Sequence, residues 1–162
     1  MSTFDDERRM QPFMNIFYQA RGWQADRSGS CRNFDLVLTQ NNTTLKIEEK
    51  FLFTKEYDQL LIEFIQDMRS GDLGWYYHVD CDYLIWAYCN EDRISAPIKI
   101  YLIKWYRFKD RVMQFNADSN TWQDFNVCNK NYGITLNLPF KWHILLDEGI
   151  ADVFKYSEVV SP

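Results

Sequence analysis

The chain has 162 residues, enough for a single domain with a sizeable hydrophobic core. Aromatic residues make up 17% of it, a fraction that favours a packed globular protein over a disordered one. The formal net charge of −5 argues against a general nucleic-acid binder, which usually carries a basic surplus, although a local basic patch can still bind phosphate.

No apolar stretch is long enough to cross a bilayer, and the N-terminal segment is too charged for a secretory signal. We therefore expect a soluble, intracellular, cytoplasmic protein with no membrane partner. The four cysteines form no C-x-x-C pair and only two histidines exist, so reduced thiols are expected instead of a zinc site. The sequence lacks a Gly-rich phosphate loop and a nucleophile elbow, which argues against a nucleotide cofactor and a serine hydrolase.

The first predicted element is a helix that Ser2 or Thr3 caps and Gly22 ends. Its apolar stripe consists of Met10, Phe13, Met14 and Phe17. Glu7 lies in the first turns on the same side as Met10 and Met14. A surface glutamate favoured by the helix dipole is an equally good interpretation of Glu7.

A short strand is predicted from Trp23 to Ala25, and the segment Arg27-Ser-Gly-Ser30 breaks it as a loop. Arg27 and Arg32 are candidates for contact with a phosphate backbone there. Solvated loop arginines are the alternative.

Two further strands are predicted on either side of Asn41 and Asn42, because asparagine tolerates the backbone conformation of a tight hairpin turn. A turn centred on these two residues places Asp35 opposite Glu48. Side chains alternate along a strand, so Glu48 and Lys50 share one face. We therefore expect Asp35, Glu48 and Lys50 to converge.

Two carboxylates at this spacing repel each other unless a cation lies between them, and their hard oxygen atoms suit Mg²⁺ or Mn²⁺. A lysine beside such an ion suits an anionic phosphodiester and an attacking water.

This pattern, Asp35 followed by Glu48-Glu49-Lys50, resembles the core of the PD-(D/E)XK, or restriction-endonuclease-like, nucleases. The proline of that motif is replaced by Phe34. The resemblance implies one α/β (α+β) domain over residues 1–162, with an αβββαβ core whose mixed central β-sheet is flanked by helices.

The resemblance also implies the roles of the site residues. Asp35 and Glu48 bind the metal by carboxylate, Glu49 by its backbone carbonyl, and Lys50 orients the attacking water, with Glu7 as an outer acidic member. DNA is the implied substrate, and small nucleases of this fold often act as homodimers.

The family core places a helix after the third strand, and Thr54 to Arg69 matches this with a predicted helix that ends before Gly71. Cys81 to Cys89 is nearly continuous in apolar residues and predicts a strand buried on both faces. Another strand is predicted from Ile98 to Ile103. A C-terminal β-strand extension is predicted from two runs, Thr121 to Val127 and Ile134 to Leu138, the second ended by Pro139.

The most basic segment, Lys104 to Arg111, interleaves cations with aromatic rings, which suits contact with a nucleic-acid strand. If it is helical, Lys104, Arg107 and Arg111 share one face and Trp105, Phe108 and Val112 another. An ordinary amphipathic helix with solvated charges explains the same pattern.

The leading hypothesis is a divalent-metal-dependent endonuclease-like protein that hydrolyses DNA phosphodiester bonds. The alternative is a non-catalytic module on the same fold that binds nucleic acid or a protein and keeps the three charged residues as a buried cluster. A third hypothesis is an unrelated α+β protein in which Asp35 and Glu48 point apart.

Overall fold

The computed structural model describes residues 4–118, 126–130 and 133–161. By its internal contacts the chain divides into two compact units. The first unit comprises Met1–Glu56, Asp80–Trp105 and Ala151–Pro162, and the second comprises Tyr57–Val79 and Tyr106–Ile150. The single domain over residues 1–162 stays a prediction.

The first unit contains a mixed sheet with flanking helices, as predicted at the level of fold class. The elements are α1 (Phe4–Ala20), β1 (Gln24–Asp26), β2 (Leu36–Gln40), β3 (Thr43–Leu52), β6 (Tyr83–Tyr88), β7 (Lys99–Lys104), β10 (Ala151–Lys155) and α4 (Tyr156–Val160). The strands lie in the spatial order β1, β2, β3, β6, β7, β10, in which β3 and β6 are parallel and all other neighbours are antiparallel.

The predicted hairpin is confirmed in its position and its register. β2 and β3 pair from Gln40 opposite Thr43 to Leu36 opposite Ile47, so the turn consists of Asn41 and Asn42. Asn41 has a positive φ of 52°, a conformation that asparagine adopts at low cost. The register continues toward Asp35 and Glu48, which are next in line on the two strands.

Helix α1 covers one face of this sheet through the predicted stripe. Met10, Met14 and Phe17 are buried, and Phe13 packs at the edge of the same cluster. Gly22, with a φ of 81°, follows the helix as predicted. The sheet supplies the other half of the core, mainly through Leu36, Leu38, Ile47, Phe51, Ile85, Ala87 and Ile100.

The predicted helix from Thr54 to Arg69 is wrong, because the structure has strand β4 there (Gln59–Asp67). Leu60, Ile62 and Phe64 are buried at alternating positions, whereas a helix would bury residues three or four apart. β4 pairs along most of its length with β9 (Gly133–Lys141). The crossover from β3 to the parallel strand β6 therefore contains β4 instead of a helix.

The second unit is built on an antiparallel sheet with the order β5, β4, β9, β8. Its remaining elements are β5 (Asp72–Leu73), a 3₁₀ turn (Trp75–Tyr77), α2 (Trp105–Asp118, whose first residue belongs to the first unit), β8 (Asn126–Lys130) and α3 (Trp142–Asp147). The predicted strand from Thr121 to Val127 falls partly outside the described residues. β8 overlaps the first predicted run at Asn126 and Val127, and β9 contains the second run, whereas β10 is a strand that the sequence does not predict.

Pro139 does not end the strand that contains it, contrary to the prediction. β9 continues to Lys141, and Pro139 lies opposite Leu61 on β4. The pairing of β8 with β9 extends only as far as Asn137 in the described residues. Among the described residues, Pro139 therefore has a ladder partner on one side of β9, a position at which a strand tolerates a residue without an N–H group.

The predicted amphipathic helix after β7 is confirmed as α2. Trp105, Phe108 and Val112 are completely or almost completely buried, and the Phe108 ring packs edge-on against Phe140 of β9 at 4.9 Å. The predicted strands from Cys81 to Cys89 and from Ile98 to Ile103 are present as β6 and β7, and five of the six residues of β6 are buried. Within the described ranges, none of the helices has the length and apolar character to cross a membrane.

Candidate functional site

Strand β3 carries the three charged residues of the motif on two different faces. Ile47, Glu49 and Phe51 face α1, since Ile47 and Phe51 belong to its core cluster and Tyr18 of α1 contacts Glu49. Side chains alternate along a strand, so Glu48 and Lys50 project from the opposite face. All three lie beyond the last β2–β3 pair, where β3 is no longer covered by its neighbour on that side.

Glu48 is a nearly buried carboxylate that is ion-paired with Lys50. Its exposed fraction is 5%, and the Lys50 ammonium donates a hydrogen bond to Glu48 Oε1. Burial raises the pKa of Glu48 to about 7, Lys50 opposes that rise, and the neighbouring Asp35 adds to it by charge repulsion and a hydrogen bond. Glu48 is therefore poised to gain or lose a proton near neutral pH.

Asp35, the residue just before β2, is held against β3 by two hydrogen bonds. Its backbone N–H donates to the Ile47 carbonyl at 2.8 Å, and its Oδ2 accepts a hydrogen bond from the Glu49 backbone N–H at 2.7 Å. The structure therefore brings Asp35, Glu48 and Lys50 together.

Lys50 is held in its charged form by the acidic residues around it. Burial alone would lower its pKa, but Glu48 above all, then Asp35 and Glu7, outweigh burial and raise the pKa above its ordinary value. Glu7, half-buried on α1, thus acts on the charge of Lys50.

The side chain of Glu49 forms a separate buried network on the α1 face. Arg27 donates two hydrogen bonds to the Glu49 carboxylate, at 2.7 and 3.2 Å, and the Tyr18 hydroxyl donates a third at 2.8 Å. The Glu49 side chain is 3% exposed, so its charge is balanced inside the protein. Two N–H groups of Arg27 are committed to Glu49, which leaves them unavailable to a phosphate.

Sequence reasoning missed Tyr18 as a member of this network. Tyr18 lies four residues after Met14 and eight after Met10, so it extends the apolar stripe of α1. A tyrosine on a buried helical face usually needs a partner for its hydroxyl group. That need was the available signal, although it does not identify the partner.

Replacing Tyr18 with phenylalanine should lower the free energy of unfolding by about 1.5 kcal/mol, because a hydrogen bond to a buried carboxylate is lost while the ring packing is kept. Urea unfolding at pH 7 measures this difference. Tyr77→Phe, at a half-exposed tyrosine, is the matched control and should change little. Equal stability of Tyr18→Phe and wild type would contradict the role assigned to this hydroxyl.

A polar cleft of about 280 Å³ lies beside these residues in the first unit. Its walls are the first turns of α1, the loop at Arg27 and Ser30, and the β3 segment with Glu49 and Phe51. Asp35 lines the same cleft, as do Glu7 and Arg8. The cleft therefore lies on the face of β3 that carries Glu49 and Phe51, and Asp35 reaches it from the start of the neighbouring strand.

The other predicted phosphate-binding residues have the following positions and partners. Arg32 is exposed next to Cys31 and Asn33. Lys104 at the end of β7 lies 3.7 Å from Asp152. On α2, Arg107 donates to the carbonyl groups of Glu148 and Gly149, and Arg111 pairs with the Glu148 carboxylate at 3.0 Å. Arg107 and Arg111 belong to the second unit.

Whether the site suits a divalent cation depends on its oxygen atoms. No cluster of three or more His, Cys, Asp and Glu side chains that could hold a metal ion is found in the described part of the chain. Mg²⁺ in proteins usually needs only one or two carboxylates and keeps several waters. Asp35 and Glu48 supply two carboxylates, so the donor set fits this ion.

The backbone adds a third oxygen. The Ile47 carbonyl accepts from Asp35, and the Glu49 N–H donates to Asp35, so alternate residues of β3 present their backbone groups to the Asp35 side. In an extended strand the N–H and C=O groups of one residue point to the same edge. The Glu49 carbonyl therefore faces the edge where Asp35 lies.

The comparisons with known proteins give no family for the chain. No family model matches it, and neither a curated protein nor a solved structure matches it. The PD-(D/E)XK superfamily is not identified by any of the three. The chemistry of Asp35, Glu48 and Lys50 is therefore the basis for assigning a function.

Proposed function

We propose that this protein is a divalent-metal-dependent endonuclease-like hydrolase that acts on DNA phosphodiester bonds at Asp35, Glu48 and Lys50. The observation that carries the proposal is the nearly buried Glu48, set against a second carboxylate and an ammonium group on one strand end. Burying like charges together is costly, and such clusters concentrate at functional sites.

In this proposal Asp35 and Glu48 hold Mg²⁺ or Mn²⁺ with their carboxylates, and the Glu49 carbonyl completes the protein's share of the ligands. A bound divalent ion supplies Lewis-acid activation of the phosphodiester and a lowered pKa for a bound water. The network of Glu49 with Arg27 and Tyr18 supports the same segment from behind, because it fixes the backbone whose N–H group holds Asp35.

Lys50 acts in the proposal as a positioning cation. Its pKa is raised, so the side chain is protonated at neutral pH and is a poor general base. A charged ammonium group can orient a water and stabilise the charge that develops on the phosphate oxygens.

The restriction-endonuclease-like core is part of this proposal. Helix α1, the antiparallel strands β1 to β3 and the parallel neighbour β6 follow the order of that core. The replacement of its second helix by β4 departs from it.

One observation favours the non-catalytic alternative. Lys50 already pairs with Glu48, and Arg27 with Glu49, so much of the acidic charge is balanced by internal partners. A chain that only binds a partner could keep such pairs as structural contacts. Metal binding separates the two hypotheses, because only the nuclease requires a cation at Asp35 and Glu48.

Isothermal titration calorimetry with Mg²⁺ and Mn²⁺ should detect one site in the wild type, and Asp35→Asn should abolish it. The affinity should fall by about tenfold from pH 8 to pH 6, because Glu48 must lose its proton to bind a cation and its pKa is about 7. Asp26→Asn, at an exposed carboxylate on β1, is the control and should bind normally. Equal binding by wild type and Asp35→Asn would favour the alternative.

The activity itself is tested with supercoiled plasmid, linear duplex and single-stranded DNA, each incubated with Mg²⁺, Mn²⁺ or a chelator. The proposal requires cleavage that depends on the cation. Cleavage that persists in chelator, or that survives in Asp35→Asn, would point to a contaminating nuclease.

A further inference from the structure

The outer end of the cleft has features that phosphodiester chemistry at Asp35 does not require. Phe4, in the first turn of α1, is 69% exposed although it is a large aromatic residue. The Arg8 guanidinium lies 4.6 Å from the centroid of the Phe4 ring and covers one of its faces. The two side chains place a cation over an aromatic ring at the wall of the cleft.

We propose that this cleft binds one unpaired nucleotide of a DNA strand, with its base stacked on Phe4 and Arg8. The inference rests on the proposed function for its orientation, since the neighbouring phosphodiester would then lie toward Asp35, the carboxylate of the proposed metal site that lines the cleft. The substrate of that site would then be single-stranded or locally unpaired DNA.

The volume of the cleft is suited to a single nucleotide. Its volume of about 280 Å³ is near the lower end of the range for small-molecule sites, about 300–1,000 Å³. A base can enter such a space only after it leaves the duplex stack, and unpairing costs least in a strand that is already single.

The chemistry of the walls supports the same ligand. Bases stack on aromatic rings and on arginine planes without much sequence preference, because every base has a flat π-face. The Gln11 amide and the Ser30 hydroxyl, which also line the cleft, offer a donor and acceptors to the edge of a base.

The two ends of the cleft differ in the charge of their side chains. Glu7 and Asp35 make the inner end acidic, while the Glu49 carboxylate is balanced by Arg27. A phosphate is repelled from the inner end unless a cation is bound there, whereas Arg8 attracts the strand at the outer end. Strand binding should therefore be stronger with a divalent cation present.

The test is fluorescence anisotropy with the full chain carrying Lys50→Met, in Ca²⁺, using a labelled single-stranded DNA of twelve nucleotides and the matching duplex. The single strand should bind at least about tenfold more tightly than the duplex. Phe4→Ala should weaken single-strand binding by about 5- to 100-fold, the cost typical of losing one base–aromatic stack. Phe4→Trp should retain the affinity, and Phe4→Leu should lose it.

Tyr77→Ala, which removes another half-exposed ring that does not line the cleft, is the matched control and should bind like its parent. Equal affinity for single strand and duplex, or no effect of Phe4→Ala, would overturn the inference. Tighter binding of the matching RNA would overturn the assignment to DNA. Circular dichroism checks that each variant is folded.

The outcome is separable from that of the nuclease proposal. If the wild type fails to cleave DNA in Mg²⁺ but its single-strand affinity depends on Phe4, the nuclease proposal fails and the nucleotide cleft stands. If cleavage occurs and neither affinity nor cleavage responds to Phe4→Ala, the cleft assignment fails and the nuclease proposal stands.

Discussion

Replacing Lys50 with methionine should reduce Mg²⁺-dependent DNA cleavage by about 100- to 1,000-fold, the usual cost of removing one group that stabilises charge in a transition state. Methionine keeps most of the aliphatic stem and removes only the ammonium group. At a pH high enough for Glu48 to lose its proton in the variant, the loss should appear in kcat, since Asp35 and Glu48 keep their carboxylates and still bind the cation. Single-turnover cleavage of a labelled DNA measures the loss of cleavage rate, and a calorimetric titration of Mg²⁺ measures whether the cation still binds.

The matched control is Lys46→Met, because Lys46 is an exposed lysine on the same strand, four residues away and on the same face. Its ammonium lies 5.4 Å from the Phe34 ring centroid, outside the Glu48 pair. Cleavage by Lys46→Met should remain within a few-fold of wild type. If Lys50→Met cleaves as fast as Lys46→Met while both fold normally, Lys50 has no role in the reaction.

The pH profile of Lys50→Met carries additional information. Lys50 opposes the burial that raises the pKa of Glu48, so its removal should raise that pKa further. Cation binding by the variant should then require a higher pH than in wild type. Lys46→Met, which removes an ammonium group outside the Glu48 pair, should leave the pH dependence of cation binding unchanged.

The parts of the fold that sequence analysis predicted correctly are those where local and long-range preferences agree. At Asn41 and Asn42 the turn residues and the strands on either side specify one register, which fixed Asp35 opposite Glu48. In α1 the 3.6-residue stripe and the stop at Gly22 agree in the same way.

The segment from Gln59 to Asp67 shows where such prediction failed. Its run of apolar residues, Leu60 to Ile62 followed by Phe64 and Ile65, satisfies both a helical and an alternating pattern. The choice of strand is made by its pairing with β9, more than seventy residues later in the chain. The local sequence pattern does not reveal a pairing partner at that distance in the chain. The resemblance to the nuclease family also favoured a helix in this segment, which is wrong.

The candidate site was predicted only where the strand register controls it. Asp35, Glu48 and Lys50 follow from alternation and pairing, whereas the partner of Glu49 depends on the path of the loop that carries Arg27. A loop arginine in a sequence looks the same whether its guanidinium faces solvent or a buried carboxylate. The sequence therefore makes Arg27 a candidate either for phosphate contact or for a solvated arginine, and the structure pairs it with Glu49.

Replacing Arg27 with methionine should therefore act first on stability. Removing one partner of a buried ion pair costs about 3–5 kcal/mol in known cases, because the remaining charge has lost its compensation. Arg27 is 19% exposed and the Glu49 side chain 3%, so we expect a loss of about 3 kcal/mol. Urea unfolding at pH 7 measures it, and Arg32→Met, at an exposed arginine of the same loop region, should change stability by less than about 0.5 kcal/mol.

The loss should grow as the pH rises from 5 to 8. Burial already raises the pKa of Glu49 above its ordinary value, and Arg27 opposes that rise, so its removal raises the pKa further. Since the folded protein then holds a proton that the unfolded chain releases, the stability of the variant falls as the pH increases through this range. A deficit that is equal at pH 5 and pH 8 would contradict this mechanism.

A triple variant separates the lost charge balance from lost packing. Tyr18→Phe, Arg27→Met and Glu49→Leu together replace the buried polar network with apolar groups of similar size, a change that is often neutral or stabilising. The triple variant should regain most of the stability lost in Arg27→Met. It should still bind Mg²⁺, because Asp35, Glu48 and the backbone of residue 49 are retained. Recovered stability with lost cation binding would instead show that the network positions the metal site, which would make the Glu49 network a supporting element of the proposed chemistry.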